Sequence, residues 1–104
     1  MQGLLENGFV PATEEPCFDF CKYARKLLGR DTPDHLSGMR ESERINVGAV
    51  VLFLMGEVWH TGVLWPDSLH FVHLQQCTKG SYFVSKESLT MSPWKYAITG
   101  FYDV

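Results

Sequence analysis

Long hydrophobic runs are missing from this sequence. The longest, AVVLFLM at residues 49–55, falls far short of the ~20 apolar residues a membrane helix needs. A helical membrane span is not expected. Basic residues are also few and scattered, 9 Lys and Arg against 12 Asp and Glu, for a formal net charge of −3. No basic stripe interleaved with aromatics exists, so nothing supports a nucleic-acid partner. Cysteine is scarce as well: Cys17, Cys21 and Cys77 make 3, an odd set without the spacing of a disulfide framework, and thiols are expected. The opening MQGLLENGFV has neither a charged n-region nor a sustained apolar h-region, so synthesis in the cytosol without a cleavable signal peptide is expected.

What is present suits a folded domain. The 104 residues are 45% hydrophobic and 20% charged, enough for one core and one domain over residues 1–104. Residues 1–12, punctuated by Gly3, Gly8 and Pro11, read as an N-terminal arm. TEEPCFDFCKYARKLLG then reads as a helix with Thr13 as N-cap, Glu14, Glu15 and Pro16 in the first turn, and Gly29 as the stop. Cys17, Phe20, Cys21, Ala24, Leu27 and Leu28 recur at helical spacing and give it one apolar face.

The polar stretch 30–46 holds turn formers and a short expected helix around Arg40–Arg44. After Asn46 the pattern becomes short β-type runs: VGAVVLFL, the turn MGE, VWHTGVLW, the turn PDS, LHFVHLQQ, then YFVS and KYAITGFYDV. The expected class is α+β, an N-terminal helix carrying Cys17 packed on an antiparallel β-sheet meander.

Two of those strands carry a histidine among large apolar residues. Strand alternation puts His60, Gly62 and Leu64 on one face, and His73 shares a face with Phe71 and Leu69. A four-residue connection would set Leu64 opposite Leu69 and His60 opposite His73, within hydrogen-bond reach. Cys17, near a helix start, feels the partial positive charge there, which favours thiolate, and a neighbouring imidazolium would add to it. Thiol nucleophile, histidine base and a third group orienting the base form a recognised logic for acyl transfer. Cys17, His60 and His73 fill those roles in that order. Gly62 would leave room for a substrate chain, and Trp59 and Trp65 are candidate walls of its groove.

These residues carry a resemblance. PCFDFCKYARKLLG, NVGAVVLF, HTGV (His60 to Val63), FVHL (Phe71 to Leu74) and SPWKYAITGFYDV are similar in order and spacing to the motifs of the NlpC/P60 family of papain-like cysteine peptidases, including small versions encoded with phage tails. The likeness runs from about Cys17 to the C-terminus. It implies a papain-like core, Cys17 as nucleophile, His60 as base and His73 as orienting residue. It further implies amide bonds of peptidoglycan stem peptides as substrate, no cofactor, and delivery to the wall by a phage tail or another delivery apparatus. Glu15 and Pro16 stand where the family usually has Asp before the cysteine, and Ala49 replaces the Asp of its P-G-D strand.

Other readings stay open at this stage. A non-catalytic binding or tail-assembly module could keep the fold without turnover, and the same triad serves acyltransferases and amidases on other substrates. Cys17, Cys21, His73 and Cys77 could in principle assemble a tetrahedral zinc site, although a mid-helix cysteine pair is an unusual donor, and no metal is expected. His35 and His70 are expected in solvent, and Cys21 in the core. The enzyme reading predicts a Cys17 thiol that alkylates fast near pH 6 and slows in His60→Ala.

Overall fold

A computed structural model describes residues 15–78 and 81–104. The expected arm and Thr13 and Glu14 lie outside the described residues, as do the side chains of residues 76–78 and 81. The chain forms one substantial helix, α1 (Pro16–Leu27), followed by strands β1 (Arg40–Glu41), β2 (Val50–Met55), β3 (Val58–Leu64), β4 (His70–Thr78), β5 (Ser81–Ser88) and β6 (Ile98–Asp103). All neighbours in the sheet are antiparallel, in the order β1-β6-β2-β3-β4-β5. The class is α+β. The sheet is a meander only from β2 to β5, because β6 returns to the far side of β2 and β1 pairs with β6 as an outer strand.

Helix α1 starts one residue after Glu15, which is the N-cap, with Pro16 at the first helical position where its missing N–H costs nothing. Its end is chemically explicit. Gly29 takes φ +75°, and the N–H groups of Arg30 and Gly29 bond the carbonyls of Arg25 and Lys26, a Schellman closure that only glycine enters without strain. Phe18, Phe20, Cys21 and Ala24 are buried on the face toward the sheet, against Val50, Val63, Val72 and Leu74. On the opposite face of the sheet a second cluster gathers Val51, Phe53, Leu64, Phe71 and Leu89, with Trp94 packed on it. β2 is therefore apolar at every position from Val50 to Phe53: both of its faces are covered.

Two expected elements differ. Arg40–Glu41 is a strand rather than part of a helix, because β6 offers it a ladder: Arg40 pairs with Asp103 and Glu41 with Tyr102. Trp94–Ala97 is a one-turn helix, so Lys95–Ala97 do not start the last strand, and this turn carries the Trp94 ring onto Phe53 and Phe71. No helix among the described residues is long and apolar enough to cross a membrane.

Candidate active site

The β3–β4 hairpin decides where the histidines sit. Val63 pairs with Val72 and Leu64 with Phe71, so the register is offset by two residues from the expected Leu64–Leu69 pairing. A one-residue slip would have thrown one histidine to the other face; a slip of two keeps both on the same face. The ladder is limited to these pairs, and the Cys17 end of α1 meets β3 at His60. The backbone N–H of Thr61 faces the Cys17 thiol and favours its charged form.

A continuous chain of polar contacts results. Cys17 Sγ lies 3.3 Å from His60 Nδ1, and His60 Nε2 lies 2.7 Å from His73 Nδ1. His73 Nε2 continues the chain to Ser85 Oγ at 3.0 Å and Gln75 Nε2 at 3.1 Å. The structure thus brings together all three residues singled out from the sequence, by a diagonal cross-strand approach rather than a direct one. His73 is fully buried, and Trp94 covers both rings at centroid distances of 5.9 Å to His60 and 4.9 Å to His73. Trp94 is itself held by donating Nε1–H to Glu87.

The other expected groove residues divide. Trp59 is exposed and lines a cavity of about 690 Å³ that opens at Cys17, together with Pro16, Phe18, Leu36, Leu52 and Thr61. Gly62 does not open space for a substrate. A Cβ there would stand 2.7 Å from the Phe71 ring and 3.0 Å from the Val72 carbonyl oxygen, so the missing side chain lets β4 come close. Trp65 packs against the α1-side core instead of the cavity. His35 is exposed, as expected, and stands at the rim of this cavity, 3.8 Å from the Glu15 carboxylate. His70 is half-buried and bonded to Asp67 at 2.8 Å. Cys21 is fully buried, and that burial pushes its thiol up to about 12.

Two contributors escaped the sequence reading: Ser85 and Gln75. Strand alternation puts Gln75 on the His73 face, two residues on. Ser85 could be found only from the β4–β5 register, in which it pairs with His73.

Burial sets the resting charge state. It raises the Cys17 thiol above its usual 9.0, and the Thr61 N–H only partly offsets this. It also lowers His60, while burial and the nearby His60 ring bring His73 down to about 3. Loss of hydration penalises the charged form of each group. Both shifts favour a neutral thiol and neutral rings over the expected thiolate–imidazolium pair. Alkylation of Cys17 by iodoacetamide should rise only on the alkaline side of neutrality, with a midpoint above that of an ordinary thiol. A rate plateau already reached near pH 6 would show the ion pair instead.

What the arrangement can do is move a proton between a sulfur and a buried imidazole beside a partly apolar cavity. Two amides lie ready at the same place. Pro16 has no N–H and Asp19 donates to the Glu15 carbonyl, so the helix-start donors left by helical geometry are those of Cys17 and Phe18. Among the described residues no cluster of three or more His, Cys, Asp or Glu is arranged to hold a metal ion. The zinc alternative also called on the Cys77 side chain, which lies outside the described residues. No protein-family model and no curated protein matches the chain.

Proposed function

We propose that this chain is a cysteine hydrolase of NlpC/P60 type with a papain-like core, cleaving amide bonds in peptidoglycan stem peptides. The observation that carries the reading is the unbroken Cys17–His60–His73 chain, at 3.3 and 2.7 Å, ending at a cavity. His60 Nδ1 takes the thiol proton as sulfur attacks the scissile carbonyl, and His73 Nδ1 supports the other nitrogen of the resulting imidazolium. The Cys17 and Phe18 amides hold the oxyanion. His60 then passes its proton to the leaving amine, and water attacks the thioester with His60 again as base, restoring the thiol.

A neutral thiol and a neutral imidazole serve this reaction whenever His60 Nδ1 is free to accept. The proton moves only as the nucleophile commits, as in hydroxyl-based hydrolases. Trp59 and the apolar lining give a side chain of the stem peptide something to bury. The likeness to small phage-tail versions of the family extends the proposal to a tail or other delivery protein as partner. Digestion of purified peptidoglycan with mass analysis of the released fragments tests the reading. Peptide fragments that appear with the natural chain and vanish with Cys17→Ser support it. Intact sacculi with both proteins would leave a non-catalytic module of the same fold.

A further inference from the structure

We propose that Gln75, together with Ser85, is a positioning residue whose amide orientation sets the direction of the protons along the Cys17–His60–His73 chain. The inference rests on the hydrolase reading for its purpose, but its geometry stands alone. Gln75 Nε2 is 3.1 Å from His73 Nε2 and 2.9 Å from Ser85 Oγ, and Ser85 Oγ is 3.0 Å from His73 Nε2. The β4–β5 ladder fixes this triangle, since Ser85 pairs directly with His73 and Gln75 follows two residues on, on the same face.

An amide nitrogen can donate and never accept. With the amide nitrogen turned toward it, His73 Nε2 is the acceptor, which places the ring proton of His73 on Nδ1. That proton is donated over 2.7 Å to His60 Nε2, so the His60 proton sits on Nδ1 and points at the Cys17 sulfur. Every donor in the resting chain runs toward sulfur. In this state His60 cannot take the thiol proton, because the nitrogen it presents is already occupied.

Turning the Gln75 amide reverses the sequence. Its Oε1 then accepts from His73 Nε2–H, His73 Nδ1 is bare, His60 donates Nε2–H to it, and His60 Nδ1 faces sulfur as a base. The same arrangement is required once His60 is an imidazolium, because both of its nitrogens then donate. Ser85, whose hydroxyl donates or accepts, bonds either form. A fixed carboxylate in this place would permit only the second state; a glutamine permits both. The titratable neighbours in this region are His60 from β3, Cys17 beyond it on α1, and Glu87 on β5, which is engaged by Trp94. Phe71 and Trp94 contribute rings against His73.

The test is nitrogen NMR of ring-labelled histidine in the whole chain, with the pH midpoint of Cys17 alkylation measured alongside. In the natural protein His73 Nε2 should be pyridine-like and Nδ1 pyrrole-like. Gln75→Glu, which can only accept, should exchange the two assignments and lower the alkylation midpoint by about one pH unit, since a nearby negative charge favours protonated imidazole. Gln75→Met, similar in length, should give a mixture of tautomers and keeps the test open if the glutamate variant does not fold. An identical ring pattern and midpoint in all three proteins would overturn the proposal and reduce Gln75 to packing. If the ring pattern changes as expected but no variant releases peptides from peptidoglycan, the hydrolase reading fails while the proton-direction inference stands.

Discussion

Replacing His60 by alanine should lower kcat/KM for amide cleavage by about 10³-fold or more, with the fold intact. A positioned general base typically contributes 10²–10⁴-fold, and in the proposed mechanism the same imidazole also protonates the leaving amine. Each tenfold loss corresponds to about 1.4 kcal/mol of transition-state stabilisation, so the expected effect is roughly 4 kcal/mol. Cys17→Ser should lose more still, because burial disfavours the charged nucleophile and a hydroxyl is harder to ionise than a thiol. The two losses should not add: once either residue is gone, the other has no partner in the chemistry. Assay of both single variants and the double variant on peptidoglycan fragments, with unfolding midpoints as a control, checks this. A His60→Ala protein that retains its full kcat/KM would sink the base role, and with it the reading of the Cys17 contact as catalytic.

How far the site was legible depends on which physical rule each residue obeys. His60 and His73 announced themselves because strand alternation is insensitive to an even offset; the two-residue difference in pairing left their shared face untouched. Cys17 was legible because Pro16 and Gly29 mark the ends of α1. Gly62 was misread because a glycine looks the same whether it leaves room for a ligand or for another strand, and only the position of Phe71 decides. Ser85 carries no local signal at all; its role comes from a ladder partner on a neighbouring strand. Lys95–Ala97 reads as a strand start by residue type, yet Trp94 buries its ring against Phe53 and Phe71, and the chain turns helically to let it do so. Helical periodicity likewise marks apolar faces and gives no warning that Arg25 lies inside.

That buried arginine is where the largest loss of stability is expected. Arg25 is 1% exposed, and four of its five guanidinium N–H groups are engaged. Nε donates to Thr32 Oγ1 at 2.8 Å, Nη1 to the Gly48 carbonyl, and Nη2 to the Asp31 carbonyl and Asp103 Oδ1, each at 3.0 Å. Asp103 also binds Arg30 at 2.9 Å. The far end of α1 is thereby tied to the approach to β2 and to the last residue of β6. Arg25→Met should cost about 3–5 kcal/mol, the range seen when one partner of a buried ion pair is removed, because two carbonyls and a carboxylate lose their donor together. Against a total of about 5–15 kcal/mol for a domain, the shift in urea midpoint would be large. Asp103→Asn should cost less, since Arg25 keeps its other acceptors. Burial raises the Asp103 carboxyl, but the Val104 N–H and the two guanidiniums outweigh it and hold the group below the usual 3.8. A carboxyl lowered in the folded state adds stability that is complete above its unfolded value and is lost as pH falls through its folded value. Acid unfolding below about pH 4 should therefore lack this component in Asp103→Asn. The consequence reaches the site, because Cys17 lies about two turns up the same helix and its 3.3 Å approach to His60 depends on where α1 is held. Arg25→Met should slow the His60-dependent reaction of Cys17 well below its unfolding temperature. Unchanged stability and unchanged thiol kinetics in that variant would show that neither the fold nor the site needs the buried charge.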